Sequence, residues 1–261
     1  MKPMLNIAVR AARAAGDAIM RHYDRLDAVT AHAKQRNDFV SEVDREAEAH
    51  IIRIIQRAYP DHGILAEESG RHDGADYLWI VDPLDGTTNF LHGFPHFAVS
   101  IALQHDGRLE LGVIYDPIRQ ELFTATRGGG AALNNRRMRV STRRSLDGAL
   151  LATGFPYRDD QAHETYLGLL RAFMGATAGI RRPGAAALDL AYLAAGRVDG
   201  FWELALNRWD IAAGALMVRE AGGIIADLYG GTDYLASGNI LAANPKVFHE
   251  MTQVVRLQLQ G

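Results

Sequence analysis

The 261-residue sequence has no cysteine, no low-complexity linker and no marked excess of charge of either sign. Without thiols there are no disulfides, no thiolate nucleophile and no zinc–thiolate site, so a metal ion would have to be held by oxygen or imidazole. A net charge of -3, from 28 basic and 31 acidic residues, supplies no long-range field that would gather nucleic acid or an anionic membrane. Affinity for a phosphate group must then come from a local site. Residues 1–20 place Arg10, Arg13 and Asp17 inside their apolar pattern, which fits neither a secretory leader nor a membrane span, and a cytoplasmic protein is expected. No Ser/Pro/Gly-rich segment or internal repeat divides the chain, so two halves, 1–145 and 146–261, are expected to share a continuous interface as one structural unit.

The remaining composition, 48% hydrophobic and 23% charged, is that of a compact soluble domain. After Pro3, apolar residues Leu5, Ala8, Val9, Ala12, Ala15 and Ile19 keep helical spacing, which predicts a helix over about 4–23. Ser41 with Asp44 three residues on reads as a capping box for a second helix, carried by Ala47, Ile51, Ile54, Ile55 and Ala58 and stopped by Pro60. Short apolar runs follow at Ile64–Ala66, Tyr77–Val81, Phe97–Leu103, Leu109–Tyr115 and Leu122–Thr126, with His105-Asp106-Gly107 as a hairpin turn. Beyond about residue 145, strands and helices alternate: Leu150–Thr153, a helix near 161–174, Ala185–Ala195, Val198–Glu203, Ile211–Ala221 and Ile224–Asp227. An α+β half against an α/β half predicts a layered sandwich with a site between them.

The segment Trp79 to Phe90 carries the chemistry. A buried strand delivers Asp82, Pro83 is expected to force the chain out of the sheet, and Asp85 returns beside Asp82 as Gly86 opens a tight turn. Two close carboxylates call for a cation, and all-oxygen ligands point to Mg²⁺ or Mn²⁺. The amides of Gly86-Thr87-Thr88, if they begin a helix, would face an anion. Taken singly, Asp82 and Asp85 also fit an Asx-turn and a helix cap. The adjacent pair Glu67-Glu68 follows a short strand, and one of the two is placed to reach the edge that bears Asp82. Asp210 precedes an apolar helix, where a plain N-cap is the simpler explanation.

In these segments the chain resembles the inositol monophosphatase family of Mg²⁺-dependent, lithium-sensitive phosphatases. The match lies in Glu67-Glu68-Ser69, in Asp82-Pro83-Leu84-Asp85-Gly86-Thr87, in Gly184 to Leu190 and in Trp209 to Gly214, in the family's order and spacing. Residues 3–13 and 152–156 are similar to a bacterial branch of that family. The resemblance implies a five-layer αβαβα sandwich of the sugar-phosphatase type and a homodimer. It implies two or three Mg²⁺ ions, one on Glu67, Asp82 and the Leu84 carbonyl, another on Asp82, Asp85 and Asp210. Thr87, paired with Asp44, would orient or deprotonate the attacking water, with Glu67 contributing through the first metal. Gly86 and Thr87 would bind phosphate, and Asp85, Ala186, Glu203 and Asp210 the hydroxyls of a polyol, with Arg181 at the edge. Ala185 stands where many members carry Ser or Thr, so one hydroxyl near the polyol is missing.

The implied substrate is a small phosphate monoester, myo-inositol 1-phosphate foremost, with glycerol 2-phosphate tolerated. Relatives with the same carboxylates act on fructose 1,6-bisphosphate, histidinol phosphate, NADP or nucleotide 3′-phosphates. Members of the bacterial branch also resemble components of ribosomal RNA transcription antitermination complexes, which implies transcription-complex proteins as alternative partners. Other features carry less. The histidines lack metal-ligand spacing, Gly128-Gly129-Gly130 lacks the Lys-Ser or Lys-Thr of a nucleotide loop and reads as a turn, and Arg136-Arg137-Met138-Arg139 with Arg143-Arg144 reads as a solvated hairpin face.

Overall fold

The computed structural model describes residues 1–26, 29, 31–35, 38–157 and 162–260, with side-chain surroundings for all of these except 31–40 and 260. Helix α1 spans Lys2–Tyr23 and buries Ala8, Ala11, Ala12, Ala15, Ala18 and Ile19 along one stripe. A short hairpin that the periodicity did not reveal, β1 (Ala31–Gln35) and β2 (Asp38–Ser41), leads into α2 (Glu42–Ala58). The expected cap of α2 is present: Val43 N–H donates to Ser41 Oγ at 3.2 Å, and Ser41 N–H donates to Asp44 Oδ2 at 2.8 Å.

The first sheet comprises β3 (His62–Ala66), β4 (Gly70–His72), β5 (Ala75–Asp85), β6 (Ala98–His105), β7 (Arg108–Asp116), β8 (Glu121–Thr126), β9 (Gly130–Leu133) and β10 (Arg136–Arg137), with α3 (Thr87–Leu91) between β5 and β6. Its order is β10-β9-β8-β7-β6-β5-β3-β4, antiparallel throughout except for the parallel pair β3/β5. Asp106 and Gly107 turn the β6–β7 hairpin with φ of 47° and 75°, the left-handed pair that a two-residue loop requires.

Then come β11 (Leu150–Thr153), α4 (His163–Ala176), β12 (Gly179–Arg181), α5 (Ala186–Ala194), β13 (Gly200–Glu203), α6 (Arg208–Glu220), β14 (Ile224–Asp227), α7 (Tyr234–Ser237), β15 (Ile240–Ala243) and α8 (Pro245–Gln260). The second sheet runs β12-β11-β13-β15-β14, with β15 antiparallel to both of its neighbours. The helix expected near 161–174 begins at His163, and Gln161 lies outside the described residues. Strand β15 and helix α8 lie beyond the elements that the sequence pattern predicts.

Strand alternation sorts the core into layers. On β5, Trp79 and Val81 face α1 and α2, whereas Ile80 faces α5 and α6. On β13, Phe201 joins that same middle layer, while Trp202 packs toward α4 and α8 with Phe173, Val247 and Met251. The result is the αβαβα sandwich that the resemblance implied. The middle layer is thin because its contacts use small residues: a Cβ on Gly112 would lie 2.9 Å from the Ala213 carbonyl oxygen, and one on Gly214 would lie 2.5 Å from Leu190 Cβ. No described helix is long and apolar enough to cross a membrane.

Candidate active site

A cavity of about 350 Å³ opens where the C-terminal ends of β5, β11 and β13 meet the N-terminal ends of α3, α5 and α6. Five carboxylates line it, from Glu67, Asp82, Asp85, Glu203 and Asp210, against the single guanidinium of Arg182.

A bulge brings the central pair together. Asp82 pairs with Ser100 and Asp85 with Ala98, so three steps along β5 match two along β6. The extra residue falls at Pro83-Leu84, where proline's missing N–H is tolerated. In a regular strand, residues three apart face opposite sides; the bulge removes that offset and turns both carboxylates to the cavity. This corrects the expectation that Pro83 ends the strand: β5 continues to Asp85.

Glu67 arrives from the neighbouring strand. Ala66 of β3 lies opposite Val81, and Glu67 N–H donates to the Val81 carbonyl at 3.2 Å, which sets Glu67 beside Asp82. Glu68 does not line the cavity; its amide and that of Ser69 each donate to the Glu48 carboxylate at 2.8 Å. Asp210 sits in the first turn of α6, not at its cap, and accepts from Asn207 N–H at 2.7 Å.

These groups are close enough to shift one another. Burial first, then the charges of Glu67, Asp85 and Asp210 and a hydrogen bond with Glu67, hold the Asp82 carboxyl well above its usual range. Asp85 is raised in the same way by burial and then by Asp210, opposed by the Ala187 N–H that donates to its Oδ2 at 2.7 Å. Two carboxyls joined by a hydrogen bond share a proton, and a cation is the alternative neutraliser. Among the described residues no three Asp, Glu or His side chains are already closed around an ion position. The donors are all oxygen, backed by the buried Leu84 carbonyl beside them, and they fit a hard divalent ion such as Mg²⁺ or Mn²⁺.

Thr87 Oγ1 lies 2.9 Å from Asp44 Oδ1 and 3.1 Å from the Leu84 carbonyl oxygen, so its single proton has two acceptors. Asp44 serves both as the α2 cap and as the partner of Thr87; burial raises its carboxyl, with the Ser41 and Thr87 hydrogen bonds opposing. Gly86, at φ 91°, caps α3, and a Cβ there would stand 3.0 Å from the His96 carbonyl oxygen.

Gly86, Thr87, Ala186 and Glu203 all line the cavity. A Cβ at Gly154 would fall 1.9 Å from a Glu203 carboxylate oxygen, so a side chain there would displace that carboxylate. Arg181 is exposed and outside the lining, its guanidinium donating to the Ile180 carbonyl at 3.2 Å. The arginine on the wall is Arg182, stacked over Phe155 at 4.7 Å and Tyr157 at 5.3 Å. Sequence reasoning also passed over Glu48, which orders the Glu67–Ser69 turn; its signal was a carboxylate on the buried stripe of α2, in step with Ile51 and Ile55. The Gly128–Gly130 turn accepts no phosphate: the Gly128 and Gly130 amides both donate to Glu220 at 2.8 Å.

Comparison with known proteins places this geometry. The chain matches the inositol monophosphatase family over residues 1–259. It is 56% identical to "Nus factor SuhB" of Pseudomonas aeruginosa, covering 99% of this chain and 98% of that one. Among solved structures, extragenic suppressor protein suhB from Bartonella henselae superposes with a TM-score of 0.95 at 49% identity, covering 97% of this chain and 98% of that one. Inositol monophosphatase from Anabaena does so with a TM-score of 0.86 at 38% identity, covering 98% and 96%.

Proposed function

Because the chain belongs to the inositol monophosphatase family, we propose that it hydrolyses small polyol phosphate monoesters, myo-inositol 1-phosphate foremost, with Mg²⁺ held by Glu67, Asp82, the Leu84 carbonyl, Asp85 and Asp210. Two or three ions serve, and Mn²⁺ can replace them. When bound, the ions supply charge neutralisation for the phosphate and a lowered pKa for the attacking water. The protein's part is positional. Thr87 accepts a hydrogen bond from that water while donating to Asp44, which is the terminal acceptor for the proton. The amides of Gly86 and Thr87 hold phosphate oxygens; Glu203, Asp85, Asp210 and the start of α5 at Ala186 meet the polyol hydroxyls, and Arg182 closes the rim. The observation that carries this reading is the bulge that turns Asp82 and Asp85 onto one cavity with Glu67 and Asp210. A phosphate-release screen over a panel of monoesters, with Mg²⁺ and with chelator, tests it. Release from polyol phosphates only with Mg²⁺ is expected, and no release from any monoester would defeat it.

A second reading, as a partner in transcription antitermination, is favoured by the names of curated relatives that are 56% identical to this chain and are called Nus factors. It draws more support from those names than the choice of polyol substrate does. The two roles can coexist, since one uses the cavity and the other a surface. Asp82→Asn separates them: read-through in a reconstituted transcription reaction on a ribosomal RNA leader should survive the substitution, whereas phosphate release should not. If neither wild type nor variant alters read-through, the second reading falls.

A further inference from the structure

Behind the cavity wall, two buried side chains carry polar atoms with no hydrogen-bond partner among the described residues: Nε2 of His96 and both carboxylate oxygens of Asp189. Nε2 and Oδ1 lie 3.6 Å apart, and the two residues are 5% and 1% exposed. Replacing such a buried pair by apolar side chains is often neutral or stabilising, so packing alone gives no reason for it.

Its placement does. Asp189 lies in the first turn of α5, where its N–H closes on the Ala185 carbonyl at 3.0 Å, two residues beyond the Ala187 amide that donates to Asp85. The His96 carbonyl accepts from Asn89 Nδ2 at 2.7 Å and abuts Gly86. One side chain therefore belongs to the turn that grips Asp85, the other to the segment that shapes Gly86 and Asn89. We infer that Asp189 and His96 are positioning residues, tying the first turn of α5 to the 86–97 segment and so keeping the Ala187 amide on Asp85. This rests on the reading of Asp85 as a metal ligand.

The surroundings suit a neutral pair. Burial holds the Asp189 carboxyl well above its usual range, with the charge of Arg182 opposing. His96 is pushed down to about 4 by burial and then by Arg119, against Asp116. Tyr192 meets the imidazole edge-on at 5.8 Å. A protonated Asp189 can donate to a neutral His96 Nε2, and closing the gap by about 0.7–0.9 Å gives an ordinary hydrogen bond.

The test is amide hydrogen exchange by NMR on the full chain, comparing wild type with Asp189→Leu, Asp189→Asn and His96→Leu, together with Mg²⁺ titrations followed by thermal shift. In Asp189→Leu and His96→Leu, Ala187 should exchange about tenfold faster or more, while amides of α6 and β7 stay unchanged. The Mg²⁺ needed for half-maximal stabilisation should rise by about tenfold, as for other supports of metal ligands. Asp189→Asn, still able to donate to His96, should stay within about twofold of wild type in both readouts. Ala187 exchange unchanged in the two leucine variants, or a uniform acceleration of all amides, would overturn the inference. Should Asp189→Leu not fold, His96→Leu carries the same comparison. If wild type shows no Mg²⁺-dependent shift, the metal reading of Asp85 fails, and Ala187 exchange still decides the positioning role.

Discussion

Asp82 is buried among like charges, so its substitution should separate function from stability. Asp82→Asn removes a ligand shared by both proposed metal positions, and phosphate release at saturating Mg²⁺ should fall by about 10³-fold or more. The metal-free variant should melt at or above the wild-type temperature, because a costly buried carboxyl has been replaced by a neutral group. Wild-type turnover in this variant would refute the two-metal arrangement. His96 makes a different prediction. Its value falls from 6.5 unfolded to about 4 folded, so the unfolded chain binds more protons between these values. The stability held by neutral His96 is complete above 6.5 and is lost as pH falls from 6.5 through about 4. The loss at the acid end is on the order of 3 kcal/mol. Denaturant unfolding of wild type and His96→Gln across that range checks it: the variant should lose less stability on acidification, and parallel curves would contradict the assignment.

At the scale of elements, the site depends on how strand ends are held. Glu48 binds two amides of the turn that carries Glu67, and charged hydrogen bonds of this kind contribute about 1.5–3 kcal/mol together with their geometry. Glu48→Gln should therefore lower stability by about 1–2 kcal/mol and raise the Mg²⁺ requirement, although Glu48 does not line the cavity. Urea unfolding and a Mg²⁺ titration of activity would show both, and a change in stability without a change in Mg²⁺ dependence would make Glu48 purely structural. The helices α1 and α2 were legible because their apolar stripes keep a strict period over several turns. The small strands β1, β2, β4, β10 and β12, of two to five residues, were not, since too few positions alternate to stand out. The β5 bulge is legible as Pro-Leu between two aspartates but looks like a strand end, because sequence shows the break and only the partner strand shows that pairing resumes.

For the whole molecule, we expect a homodimer. Leu167 and Met174 of α4 and Leu257 of α8, two helices packed side by side, expose large apolar side chains on the outer layer. Light scattering at micromolar concentration, with and without Mg²⁺, should give twice the chain mass, and a monomer in both conditions would exclude it. The sequence by itself determined the layered class and the carboxylate positions, because periodicity, capping and the Asp-Pro-Leu-Asp-Gly-Thr spacing are local properties of the chain. That the Glu68 amide binds Glu48, that Arg182 and not Arg181 forms the cavity's rim, and that Asp189 lies beside His96 were decided only by the tertiary structure. Each of those choices depends on a strand register or a helix rotation set by packing between segments up to about a hundred residues apart, and no local spacing encodes it.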